Sequence, residues 1–142
     1  MQETYLSEVA QIERAKKGKA YPAGCSLIAL SATKGEVEYL EESGEVETRY
    51  AVIVPDTQIV LGKYLHNAIC YFFPEFLYRH RTGINLQFEE LKFLKISICS
   101  LVDQRRFINE LEEVDRRIKQ ENELVERAKD MKKSMLGKLF PE

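Results

Sequence analysis

From Asp103 to Phe140 the chain runs DQRRFINELEEVDRRIKQENELVERAKDMKKSMLGKLF, without a proline and with one glycine, Gly137. Within it Phe107, Leu111, Val114, Ile118, Glu121, Val125, Ala128, Met131, Met135 and Leu139 recur mostly at alternating spacings of four and three. That period places them along one stripe of an α-helix. At about 1.5 Å per residue, a helix from about 104 to 139 is roughly 54 Å long, far beyond the average globular helix. A small domain cannot bury such a stripe by itself, so the stripe predicts a partner helix and a coiled-coil seam. Glu121 in the stripe, Asn122 beside it and a slip of the heptad near Met131 are features that fix register at some cost in stability. Glu112, Arg116, Glu123, Arg127, Lys132 and Lys133 supply pairing along the helix and a solvated outer face.

The remaining 100 or so residues suffice for one small core. Their apolar residues come in short runs, CSLIALSA, RYAVIVP, QIVLGKYLHNAICYFF and LKFLKISIC, bounded by YPAG, TKG, ESG and PD. The Val-, Ile- and Tyr-rich runs read as strands, and Pro55 ends one of them because proline cannot donate to a ladder. The segment from Val60 to Leu77 fits either a helix or a strand, with Pro74 interrupting it. The fold class is α+β: a small β-rich domain with a curved, mostly antiparallel sheet over 1–100, then one long helix over 101–142.

No apolar run approaches the roughly 18 to 20 residues that span a bilayer, and the N-terminus has no signal-peptide core, which predicts a cytoplasmic protein without membrane contact. Cys25, Cys70 and Cys99 form no CxxC pair, and with only His66 and His80 to join them no zinc spacing exists; all three cysteines are expected buried. There is no nucleophile elbow, HExxH or P-loop, and KKGKAYPAG does not match GxxxxGK[ST]. No catalytic residue, metal or cofactor is expected.

Charge is unevenly distributed although the net formal charge is only -2. Arg14, Lys16, Lys17 and Lys19 cluster around Gly18; Glu36, Glu38, Glu41, Glu42, Glu45 and Glu47 form an acidic stretch relieved by Arg49; Arg79, His80 and Arg81 form a second basic group.

The order of these parts resembles one half of the specificity (S) subunit of type I restriction-modification enzymes. The resemblance is carried by the opening YLSEVAQIERAKKGKAYPAG and the segment RTGINLQFEELK. It continues through a last strand, Phe93 to Cys99, the acidic-Gln pair Asp103-Gln104, and the long helix ending KKSMLGKLF. It covers roughly Tyr5 to Phe140. Two departures stand out: the family's two prolines before the acidic-Gln pair are replaced here by Cys99 and Ser100, with Ser100 placed to cap the helix, and the family's usual two recognition domains and two helices are one of each.

The resemblance implies a target recognition domain followed by an assembly helix. It implies partners as well: double-stranded DNA and an adenine methyltransferase subunit that carries the chemistry. In the family two helices pair antiparallel as a spacer, so this chain is expected to homodimerise antiparallel, or to pair with a different S-like chain, along Phe107, Leu111, Val114, Ile118, Val125, Ala128, Met131, Met135 and Leu139. DNA needs cations at phosphates and hydrogen-bonding side chains at base edges. The candidates are Arg14, Lys16, Lys17 and Lys19, with Lys34 and Arg49 beyond them, and Arg79, Arg81 and Thr82 before the Gly83 turn as a second group if folding brings it near. Arg79 or Arg81 suits a bidentate guanine contact better than any Lys. The acidic stretch leaves room for a second reading, an S-like interaction protein that docks on a methyltransferase or another S chain without reading DNA.

Overall fold

The computed structural model describes residues 1–140; positions 141 and 142, at the end of the expected helix segment, lie outside the described residues. In chain order the elements are β1 (Gln2–Tyr5), α1 (Leu6–Val9), β2 (Ala10–Arg14), β3 (Ala20–Tyr21), β4 (Ser26–Ala29), β5 (Val37–Tyr39), β6 (Gly44–Glu45) and β7 (Tyr50–Pro55). Then come α2 (Gly62–His80), a 3-10 helix (Phe88–Phe93), β8 (Lys95–Ile98) and α3 (Leu101–Leu139). The architecture is α+β, with every strand pair antiparallel. Instead of one curved sheet there are three: a four-stranded sheet in the order β2-β7-β4-β5 and two ribbons, β1-β8 and β3-β6. By its contacts the chain divides into one unit, Met1–Arg106, and a second that begins at Phe107.

Central position explains why β7 is apolar almost throughout: it lies between β2 and β4 and is covered on both faces. Tyr50 and Val52 join Leu27, Tyr21, Cys25 and Val46 in a core cluster on one face. On the other face α2 packs against β4, β5 and β7, presenting Leu65, Ile69, Phe73, Phe76 and Leu77 at helical spacing. Burying each such side chain stabilises the fold by about 1.5–3 kcal/mol.

That sum corrects the reading of Pro74. The helix runs through it to His80, although a proline inside a helix costs about 3 kcal/mol. Pro74 and Cys70, whose carbonyl loses its donor, both lie on the exposed face, where water can satisfy that oxygen, while Phe73, Phe76 and Leu77 on the inner face hold the helix together. Cys70 is accordingly exposed and Cys99 only partly covered, so of the three cysteines only Cys25 is buried as expected; burial pushes its thiol up to about 11.

Where a strand was expected from Phe93 to Cys99, the strand is Lys95–Ile98 and Phe93 belongs to the 3-10 helix, half-exposed. Leu91 and Leu94, both buried, are three residues apart, which fits three residues per turn and not a two-residue alternation.

α2 begins against the loop before β4, at a point that only glycine permits. A Cβ on Gly62 would lie 2.8 Å from the Gly24 carbonyl oxygen and 3.2 Å from its Cα, both backbone atoms. Gly62→Ala is therefore expected to destabilise the protein by about 1–3 kcal/mol in chemical denaturation, the typical cost of overpacking. A midpoint equal to wild type would show that this crossing relaxes freely.

The third helix starts at Leu101, earlier than its apolar period indicates, because Ser100 caps it: Asp103 N–H donates to Ser100 Oγ at 3.2 Å and Gln104 N–H to the Ser100 carbonyl at 2.9 Å. Gln104 is fully buried. Its Oε1 accepts from Leu61 N–H at 2.8 Å, and its Nε2 donates to the carbonyls of Ile59 at 3.0 Å and Cys99 at 2.8 Å. No helix of the described residues is long and apolar enough to cross a membrane.

Candidate nucleic-acid interface and helix seam

Strand register brings the sequence-nominated cations to one end of the four-stranded sheet. Arg14 pairs with Ala51, Ala51 with Ile28, and Ile28 with Val37, so these four residues form one row across β2, β7, β4 and β5. Beyond the row, Ala15 N–H donates to Tyr50 O at 3.0 Å and Leu30 N–H to Arg49 O at 2.9 Å. The loop carrying Lys16, Lys17 and Lys19, the segment carrying Arg49 and the β4–β5 loop carrying Lys34 all leave from this end. α2 finishes there too, since Leu77 Cδ2 lies 4.0 Å from where a Cβ on Gly35 would stand. Arg79 and Arg81 therefore belong to the same end of the unit.

A turn over Thr82–Asn85, closed by Thr82 N–H to Asn85 O at 2.8 Å and Asn85 N–H to Thr82 O at 3.0 Å, is fastened to the β4–β5 loop. Thr33 N–H donates to Ile84 O at 2.9 Å, Leu86 N–H to Leu30 O at 2.9 Å and Ala32 N–H to Asn85 Oδ1 at 3.2 Å, while Thr33 Oγ1 donates to the Ala29 carbonyl. Lys34, expected with the first group, follows Thr33, which is bonded to the turn that Arg81 precedes.

The nominated cations are not equally available. Lys19 pairs with Glu13 at 2.6 Å, Arg49 with Glu47 at 2.9 Å, and Arg79 with Glu75 at 2.7 Å. The Lys19 hydrogen bond, followed by Tyr21, holds the Glu13 carboxyl below the usual range. Arg49 also donates to Tyr50 Oη at 2.8 Å and lies over its ring, and Tyr50 donates to Glu38 at 3.2 Å, so the acidic stretch is interleaved with the cations. Arg14 lies over the Phe88 ring at 5.7 Å. Lys16, Lys17, Lys34 and Arg81 are exposed and form no ion pair with another described residue. Sequence reading missed Ile84, at the tip of the turn, 67% exposed.

The two histidines sit in packed settings. His66 Nδ1 is 3.5 Å from Ser26 Oγ and Nε2 is 3.5 Å from Cys70 Sγ, beside the Tyr39 ring, and burial lowers its pKa. His80 stacks on Phe76 at 4.2 Å and its Nδ1 meets Glu90 Oε2 at 2.8 Å. Among the described residues no three His, Cys, Asp or Glu side chains gather to hold a metal ion.

In the second unit the residues nominated for the seam are mostly exposed. Leu111, Val114, Ile118, Val125, Met131, Met135 and Leu139 expose between 43% and 68% of their surface, and Ala128 is exposed; Phe107 is half-buried. Leu124, Leu136 and Phe140 are exposed too and broaden the apolar face; they flank the strict heptad, which is why the period did not single them out. Arg116 pairs with Glu113 and Lys129 with Glu126 on the solvated side.

No family model matches the chain, and no curated protein matches its sequence. Its structural neighbours are specificity subunits of type I restriction-modification systems. The HsdS subunit from Thermoanaerobacter tengcongensis matches with a TM-score of 0.63 at 15% identity over 82% of this chain. The S subunit from M. genitalium matches at 0.66 and 17% over 99%. A chain from a structure describing complex assembly and conformational transition of the type I R-M system matches at 0.72 and 16% over 97%. The chain spans 37%, 46% and 43% of those three chains, respectively, under half of each. At these identities the likeness is one of fold.

Proposed function

We propose that this chain is a DNA sequence-recognition subunit of a type I restriction-modification system. In this reading residues 1–100 bind double-stranded DNA, residues 101–142 form the assembly helix, and the chain positions an adenine methyltransferase subunit, itself supplying no catalytic residue or cofactor, in the cytoplasm. The observation that carries the reading is the convergence of two sequence-distant basic groups at one end of the sheet in a chain with the S-subunit fold. Lys16, Lys17, Lys34 and Arg81 are its strongest candidates for DNA contact, being exposed and unpaired with described acids; Arg14, Lys19, Arg49, Arg79 and Thr82 form the surround.

The helix supports self-pairing through its register. If two copies run antiparallel about Glu123, Phe107 faces Leu139 of the second copy, Leu111 faces Met135, Ile118 faces Ala128, and Val114 faces the Lys132 stem. The acidic block Glu110, Glu112, Glu113 and Asp115 then lies opposite Lys129, Lys132 and Lys133, whereas a parallel pair would set like charges against each other. Such a dimer presents two recognition domains to a split, symmetric DNA site.

Salt dependence tests the DNA contact. Replacing Lys16 and Lys17 with Ala is expected to weaken duplex binding and to reduce the slope of log K against log salt by about 2, one counterion per lost phosphate contact. Binding is measured with the chain alone and with the methyltransferase subunit added. An unchanged slope removes these lysines from the interface. The interaction-protein reading, favoured by the acids interleaved at the same end, gains if no duplex is bound under either condition.

A further inference from the structure

We propose that Ile84 is a specificity-determining residue that reads the 5-methyl group of a thymine in the major groove, while Arg81 and Lys34 hold the flanking phosphates. The proposal rests on the DNA-recognition reading above and assigns it a point of base contact.

A single exposed isoleucine on a protein surface is ordinary. Ile84 differs in how it is mounted. The turn that bears it is closed on itself by the paired Thr82 and Asn85 amides and carbonyls, and the backbone of Ile84 is fixed by Thr33 N–H. The next residue but one, Leu86, is 3% exposed and already anchors the segment in the core, so the core makes no demand for an apolar side chain at the tip. The loop beneath is held in unusual backbone geometry, with φ of +50° at Ala32 and +91° at Gly35, and Gly83 in the turn at +62°. A non-glycine residue in the left-handed region costs about 1 kcal/mol or more, and such strain persists where the surroundings over-determine it. Two loops from distant parts of the chain are thus clamped into one rigid platform, and rigidity lowers the ordering cost of contact.

The polar chemistry on the platform narrows what the tip can read. Adenine is read by a bidentate amide that uses both its oxygen and its nitrogen. Asn85 Oδ1 is already engaged by Ala32 N–H at 3.2 Å, so Asn85 is spent on the platform. What remains at the tip is the apolar side chain, and the apolar feature of a major-groove edge is the thymine methyl. Arg81 and Lys34, each next in the chain to a platform residue, Thr82 and Thr33, and exposed without ion-pair partners among the described residues, supply the cations that a phosphate-flanked position requires.

The test selects duplexes from a random-sequence library with the full chain, alone and with the methyltransferase subunit added, then replaces each selected thymine by deoxyuridine, which lacks only the methyl group. Wild type is expected to bind about fourfold more weakly when one particular thymine is replaced, the effect of one buried methyl. Ile84→Ser is expected to bind thymine and deoxyuridine at that position equally, Ile84→Val to retain most of the discrimination, and both to keep the wild-type melting temperature because the side chain is exposed. A selected consensus with no deoxyuridine-sensitive position, or one whose sensitivity survives Ile84→Ser, overturns the role of Ile84 and leaves DNA reading intact. If wild type selects no consensus at all, the DNA-recognition reading falls, and this inference with it.

Discussion

With Leu111, Ile118 and Val125 all changed to Asp, the chain is expected to remain monomeric at every accessible concentration, while wild type forms a dimer by light scattering. The three side chains are already exposed to 43%, 51% and 52% in the single chain, so their loss removes nothing from its own core. In the antiparallel register they meet Met135, Ala128 and Glu121 of the second copy, and each substitution occurs twice. Six apolar side chains at about 1.5 kcal/mol or more each exceed the roughly 4 kcal/mol that a thousandfold loss in affinity represents. Val125→Asp adds a second effect, since it sets a carboxylate beside Glu121 near the two-fold axis. The same register makes a converse expectation: Glu121→Leu should tighten the dimer, because it replaces a carboxylate next to Val125 by an apolar side chain. Unfolding of the first unit, followed by tyrosine fluorescence, should be unchanged in the triple variant. Wild type that is monomeric at high concentration would sink self-pairing and leave a different S-like chain as the occupant of the seam. A dimer that survives the triple variant would place the contact elsewhere.

The long helix was legible because helix amphipathicity is a local, periodic property: every residue from Phe107 to Leu139 reports its own face. Its beginning was legible from a different signal, the hydroxyl of Ser100, which caps the first turn. Pro74 misled for a different reason. A local rule ended the helix there, and the tertiary burial of Phe73, Phe76 and Leu77 overrode it. The basic groups could be listed from sequence but not assembled from it. Their convergence follows from the pairing of Arg14 with Ala51 and of Ala51 with Ile28, and from backbone bonds such as Thr33 to Ile84, which leave no mark on residue identity. The same bonds explain why Ile84 went unnoticed. Pairing of Lys19 with Glu13 was equally invisible, since Glu13 lies six residues before it, outside any helical spacing, whereas Glu75 and Arg79 stand at an i,i+4 helical spacing that ending the helix at Pro74 concealed.

Gln104 offers the strongest test of what holds the first unit together. Gln104→Leu is expected to destabilise it by about 3–5 kcal/mol in chemical denaturation. Leaving the Leu61 N–H and the Ile59 and Cys99 carbonyls without their buried partner costs about 1–3 kcal/mol each, partly offset by the apolar burial of the Leu side chain. For a chain of this size the melting temperature should fall by roughly 10 °C or more. Gln104→Glu separates hydrogen bonding from shape. One carboxyl oxygen can still accept from Leu61 N–H, but the other faces two carbonyl oxygens and needs a proton, so the folded state raises the pKa of this Glu above its ordinary value of about 4.3. The folded state then binds more protons than the unfolded state, and stability is greatest below the unfolded pKa and declines as pH rises through the folded one. The Glu variant should therefore approach wild type at low pH and lose stability toward neutrality, whereas the Leu variant should show the wild-type pH dependence. Equal stability of all three proteins at pH 7 would mean that the 59–61 segment, Cys99 and the first turn of the third helix are joined by packing alone.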